Sequence, residues 1–226
     1  MAETPRSGQV NRREFIRSMA VAAGGIAGAS ILGASALSAA PAASRKEKGK
    51  MKILILTGSP RKNGNSATLA DHFARGAREA GHEVVRFDAA FRKVHPCIAC
   101  NSCGMNGPCV FKDDFEFVRE HLIPADCVVF ATPMYYFGIS AQLKAVIDRF
   151  YAINGSIHVP KKAVLLMTYA NTAASEAVPI KSHYEVLLKY LGWTDAGQVI
   201  APGVWPVGAV EHTRYPEQAY RLGKSL

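Results

Sequence analysis

What this 226-residue chain lacks narrows its reading before any motif does. The segment 58–66, GSPRKNGNS, carries neither GxxxxGK[ST] nor GxGxxG, so neither a nucleoside triphosphate nor a Rossmann dinucleotide is indicated. No internal repeat and no second domain can be traced. Acidic residues are the scarcer charge, 18 against 27 Lys and Arg, giving a formal net charge of +9. That balance favours acidic partners, although the basic residues are scattered enough to serve solubility alone. The single basic run, Arg45 to Lys50, has no interleaved aromatics, which excludes an obvious nucleic-acid site and reads as a solvated linker. His72, His82 and His121 share no spacing and read as surface residues, not a metal set. Cysteine is scarce as well: there are five, and four of them fall within one short stretch.

That stretch is CIACNSCGMNGPC, from Cys97 to Cys109, with Cys97, Cys100, Cys103 and Cys109 at spacings of two, two and five intervening residues. Four thiolates this close converge only if the backbone wraps around something, and an iron-sulfur cluster, a zinc ion, disulfides or plain thiols all remain open. The spacing favours the cluster, because three cysteines stepped by three residues set three sulfurs around one loop, whereas zinc sites usually draw on two separated pairs. His95 reads as a loop residue, and Cys127, inside an apolar run, as a small core residue. Asp113 and Asp114 read as the start of a helix, not a catalytic pair, and no side chain stands out as a general acid.

The amino terminus is of a different kind. Asn11 to Arg17, NRREFIR, is a twin-arginine signature followed by an uncharged Ala/Gly/Ser-rich run to Ser44. The expected division is a signal over 1–42, cut after Ala42, a linker over 43–50 and a domain over 51–226. An uncleaved membrane anchor is the competing reading. The twin-arginine route carries folded proteins, so a cofactor inserted before export would suit it. The expected destination is the periplasm or cell envelope, with membrane contact only through the signal.

From Met51 onward, apolar strand-like runs alternate with helical patterns. Strands are expected at 51–57, 82–88, 126–132, 162–168 and 194–201, and helices at 67–80, 113–121, 139–151, 177–191 and 216–224, with Asn65 or Ser66 capping the first. This alternation predicts an α/β fold: a doubly wound, five-stranded parallel sheet buried on both faces, in three layers. Ligands of such sheets sit beyond the carboxyl ends of the strands, which selects the loops 59–66, 133–138 and 169–176. The first opens a helix with two hydroxyls and a guanidinium, a place for a phosphate. The second, PMYYFG, offers Tyr135, Tyr136 and Phe137 to a flat ring, or else to packing or a subunit interface.

These three segments, GSPRKNGNS, CIACNSC with Cys109 and VFKDDF after it, and TPMYYFGISAQLKAVIDR, occur in an order that resembles the flavodoxin-like iron-sulfur flavoproteins and their relatives among the NAD(P)H-dependent FMN reductases. The resemblance covers residues 51–226. It implies FMN, with its phosphate held by Ser59, Arg61, Asn65 and Ser66 and its ring flanked by Pro133, Met134, Tyr135, Tyr136, Phe137 and Gly138. It further implies a [4Fe-4S] cluster on Cys97, Cys100, Cys103 and Cys109, and a homodimer or homotetramer. The expected function is an FMN-dependent oxidoreductase working between a donor, whether a small acidic carrier, a quinol or NAD(P)H, and a small-molecule acceptor. Alternatives are an NAD(P)H-dependent flavin or quinone reductase without a cluster, a non-enzymatic electron carrier, and a zinc-stabilised binding module. The signal departs from the family's mostly cytoplasmic pattern, and outside the cytoplasm a nicotinamide donor is not expected.

Overall fold

The computed structural model describes residues 49–226; the expected export signal, 1–42, and the linker up to residue 48 lie outside the described residues. The chain builds β1 (Lys52–Thr57), α1 (Asn65–Glu79), β2 (Glu83–Asp88), α2 (Phe115–Leu122), β3 (Cys127–Tyr135), β4 (Gly138–Ile139), α3 (Ala141–Asp148), β5 (Lys162–Thr168), α4 (Val178–Leu191), β6 (Thr194–Ala201) and α5 (Tyr215–Lys224). Five strands pair in parallel in the order β2-β1-β3-β5-β6. The chain steps outward from β1 to β2 and then returns to β1's other side with β3, so strand order reverses between β1 and β3.

Side-chain alternation along the strands feeds two cores, one on each face. Leu54, Leu56, Val128, Phe130, Leu165 and Met167 meet Val118, Val146, Ile180 and Leu188 from α2, α3 and α4. Ile53, Ile55, Cys127, Val129 and Leu166 meet Leu69, Phe73 and Ala77 of α1 and Ala219 of α5. Cys127 is therefore the core residue expected, and burial pushes its thiol up to about 12.

Four expectations need correction. The sheet has a sixth strand, β4, antiparallel to β3, so the segment 133–138 is not a plain loop, and α3 starts at Ala141 instead of 139. The edge strands β2 and β6 are only partly buried, since each has a sheet neighbour on one side alone. The cap of α1 is Gly64, with no side-chain bond, instead of Asn65 or Ser66. His82 is buried, not superficial, because its Nδ1 accepts from the Met51 backbone N-H at the start of β1. Among the described residues no helix is long and apolar enough to cross a membrane.

Candidate functional site

Beyond Thr57 the chain leaves β1 at the reversal point, where Gly58 N-H donates to Ala131 O at 2.8 Å and so draws the first loop against the end of β3. A side chain at Gly58 would collide with Ser140 and Leu143. The loop then closes on itself: Gly64 N-H donates to Arg61 O (3.0 Å), and the Ser59 hydroxyl donates to Arg61 O (2.9 Å) while accepting from Arg61 N-H (3.2 Å). Asn65 is also committed, its Nδ2 donating to Val204 O and Pro206 O and its Oδ1 accepting from Val210 N-H. Of the four residues expected at a phosphate, two thus spend their side chains holding loops. Ser66 differs: its Oγ is buried and has no hydrogen-bond partner among the described residues. It stands in the first turn of α1, where the opening N-H groups have no intrahelical acceptor. Arg61 is exposed, and none of the ion pairs among the described residues engages it.

These residues line one end of a cleft of about 360 Å³, whose walls also include Pro133, Met134, Tyr135 and Tyr136. Phe137 borders an adjoining recess, and Gly138 pairs with Tyr135 across β3 and β4. Tyr136 and Phe137 form the two-residue turn of this hairpin with φ of 45° and 61°. Two successive positive φ values match the twist of a tight hairpin but suit Asn-Gly, not aromatics, so the turn holds backbone strain. It projects Tyr136 fully into solvent.

Among the described residues that line this cleft, none comes from the cysteine stretch. Cys97, Cys100, Cys103 and Cys109 are free thiols bordering one small cavity of about 20 Å³ together with Arg149 and Tyr151. Ala99, Asn101, Gly104 and Met105 all have positive φ, and within the loop Gly104 N-H donates to Asn101 O (3.0 Å) and Asn106 N-H to Cys103 O (3.2 Å). Hydrogen bonds from Ser102 hold the Cys100 thiol below its ordinary value. Side chains tie the loop down: Tyr151 Oη donates to Asn101 Oδ1 (2.8 Å), Ser156 Oγ to Asn106 Oδ1 (2.7 Å) and Arg119 Nη1 to Gly107 O (3.0 Å). Beneath it Arg149 donates to His95 O and Phe111 O and pairs with Asp113, while its buried Nε has no partner among the described residues. His95 is the loop residue expected, stacked on Phe111, and Asp113 accepts from Phe115 N-H at the start of α2.

A model of the family described as NADPH-dependent FMN reductase matches residues 51–205. The chain belongs to that family. It is 30% identical over 160 residues to an iron-sulfur flavoprotein of Archaeoglobus fulgidus, an alignment covering 69% of this chain and 70% of the relative. An iron-sulfur flavoprotein of Methanocaldococcus jannaschii is 35% identical over 99 residues, 44% of this chain and only about half (51%) of the relative. In fold it is similar to an NAD(P)H:quinone oxidoreductase from Methanothermobacter marburgensis, with a TM-score of 0.62 at 20% identity, covering 78% of this chain and 96% of that one.

Membership makes this chain a flavin-dependent oxidoreductase, with FMN as the cofactor. The cleft fits that group at its phosphate end, where the orphaned Ser66 hydroxyl needs an acceptor or donor and where a Cβ on Gly64 would stand 2.5 Å from Ser59 Oγ and 3.2 Å from Arg61 O. The cysteine loop fits a thiolate-held group by its donor set. Among the described residues, however, no group of three or more His, Cys, Asp or Glu side chains could hold a metal ion. Bordering one cavity is a looser condition than ligand distance, so the two observations are compatible. Sequence reasoning passed over Trp205 and Val204, which reach the cleft from beyond β6, and Arg149. The first pair had a signal in Pro202-Gly203 closing the last strand, Gly203 having φ of 74°; a buried arginine had none.

Proposed function

We propose that the chain moves electrons between a donor and a small acceptor through FMN seated in the cleft of about 360 Å³, with a [4Fe-4S] cluster on Cys97, Cys100, Cys103 and Cys109. The observation that carries the flavin is the buried, unpartnered Ser66 hydroxyl at the opening of α1. FMN supplies one- or two-electron transfer, and a cluster would supply single electrons. In this reading Ser66, the first N-H groups of α1 and Arg61 bind the phosphate, and Ser59 and Asn65 hold the loops that shape its cradle. Pro133 to Tyr136 border the ring. In this reading N-H groups of the cysteine loop hydrogen-bond the sulfurs and tune their electron density.

Export by the twin-arginine route after cofactor insertion, a periplasmic or cell-envelope location and a homodimer or homotetramer belong to the same proposal. They rest on NRREFIR and on the iron-sulfur flavoproteins among the relatives. An exported enzyme would take electrons from a small acidic carrier or a quinol, which the net charge of +9 suits; one retained inside would use NAD(P)H.

A second reading keeps the flavin and omits the cluster, making the chain an NAD(P)H-dependent flavin or quinone reductase. It is favoured by the lack, among the described residues, of side chains arranged to hold a metal ion. An anaerobic absorption spectrum of purified protein, with flavin, iron and sulfide quantified, separates the readings. Equimolar flavin with four irons and four sulfides per chain supports the first. Flavin without iron leaves the second, and a colourless protein that refuses added FMN removes both.

A further inference from the structure

A second recess, of about 280 Å³, opens off the FMN cleft and shares Met134, Tyr136, Tyr169, Ala170 and Trp205 with it. Phe137, Asn171 and Glu176 complete its walls. Three of these side chains are large aromatics left exposed: Tyr136 at 101%, Trp205 at 72% and Phe137 at 52% exposure. Bare aromatic rings around a concavity that continues a cofactor cleft are the usual setting for a flat apolar ligand.

One charge faces this recess. Asn171 Nδ2 donates to Glu176 Oε1 at 3.0 Å and so fixes the carboxylate, and none of the ion pairs among the described residues neutralises it. It is close enough to Tyr169 to help raise that phenol's pKa, after burial, which is the larger cause. Arg61 lines the FMN cleft and is absent from the second recess. The combined cavity is therefore polarised, with a cation where an anionic tail would sit and an anion where a second ring would enter. This opposes the chain's overall +9, which on its own would draw in anionic acceptors.

We propose that this recess is the acceptor subsite, that it takes flat aromatic acceptors that are neutral or cationic, and that Glu176 turns away anionic ones. The inference rests on the FMN reading above. The test uses oxidised, FMN-loaded protein and measures dissociation constants by calorimetry for a neutral naphthoquinone and its ring-sulfonated analogue. The neutral compound is expected to bind about tenfold more tightly, the order of one unit charge near contact under water-like screening. Glu176→Gln should remove most of that ratio, and added salt should shrink it in the unmodified protein. Glu185→Gln, an exposed carboxylate on α4, should leave it alone. Trp205→Ala should weaken both quinones alike. A ratio unchanged in Glu176→Gln, or quinone binding indifferent to Trp205→Ala, in protein carrying one FMN per chain would overturn the subsite while leaving the flavin reading intact. Protein that takes up no FMN would bring down both.

Discussion

Asp113 and Arg149 form a buried ion pair, Nη1 to Oδ2 at 2.9 Å, with the side chains 10% and 1% exposed. The pair joins three segments. Asp113 also accepts from His95 N-H and Phe115 N-H, and the guanidinium, lying over the Phe115 ring, donates to His95 O and Phe111 O. Both flanks of the cysteine stretch are thereby clamped to the turn that follows α3.

Removing one member leaves the other charged and buried. Asp113→Asn and Arg149→Met are each expected to cost about 3 to 5 kcal/mol in urea denaturation, and the double variant less than their sum. A loss below about 1 kcal/mol would mean that the pair behaves like a surface bridge. Burial alone would raise the Asp113 pKa, but Arg149 and the two backbone donors outweigh it and hold the carboxyl below its ordinary range. Its folded pKa is thus depressed, so the contribution is whole above the usual carboxylate value near ~4 and is lost as pH falls through and below it. Asp113→Asn should flatten that acid limb.

Ser66 and Gly64 predict how FMN is held. Ser66→Ala removes one hydroxyl bond to a charged group, which corresponds to a loss of roughly 1.5 to 3 kcal/mol, or about 10- to 100-fold in FMN affinity by fluorescence titration. Gly64 has an ordinary φ of −72°, so Gly64→Ala is not strained in backbone, but its methyl would stand 2.5 Å from Ser59 Oγ and displace the hydroxyl that holds the loop on Arg61. It should weaken FMN comparably and also lower the melting temperature of the FMN-free protein, because the Ser59–Arg61 bonds are disturbed. Riboflavin, lacking the phosphate, should bind both variants and the parent alike.

Much of this architecture could be read from the chain because its signals are local. Runs such as Ala163 to Met167 are apolar throughout, as strands covered on both faces must be, and Gly192, with φ of 70°, stops α4 as a left-handed cap. The reversal rule then selected strand ends whose loops line the cleft of about 360 Å³. What escaped was set by distant partners. Asn65 reads as a cap or phosphate ligand in sequence, yet its carboxamide is taken by the segment 204–210, more than a hundred residues away. Arg149 sits in a helical pattern that gives no hint of burial, because its partner Asp113 comes from another element. The β3-β4 hairpin was missed because its turn residues are aromatics, contrary to the Asn-Gly habit of such turns.

The five cysteines should fall into two chemical classes. Cys127 lies in the core with its thiol pushed up to about 12, whereas the other four are exposed or half-buried and free. Chelator-treated apo-protein is expected to take up four iodoacetamide groups in the native state and a fifth only on unfolding. Cys97→Ser, Cys100→Ser, Cys103→Ser and Cys109→Ser should each lower bound iron while leaving flavin content unchanged. Iron retained in all four variants would remove the cluster from the proposal; flavin lost with iron would mean that the loop and the cleft do not behave independently.

The hairpin turn predicts a conflict between stability and function. Residues held at positive φ without being glycine cost of order 1 to 3 kcal/mol each, and Tyr136 and Phe137 are both so held while gaining little burial in return. Tyr136→Asn with Phe137→Gly supplies the residues that a turn of this hand prefers, and is expected to raise stability by about 1 to 2 kcal/mol in urea denaturation. The same change strips two aromatic walls from the recess beside the FMN cleft, so quinone binding should fall about tenfold or more even as the protein becomes harder to unfold. Were the variant less stable instead, the aromatics would be contributing packing that outweighs their strain, and the turn would be explained by the fold alone. A gain in stability with a loss of ligand locates the reason for these residues in what they bind.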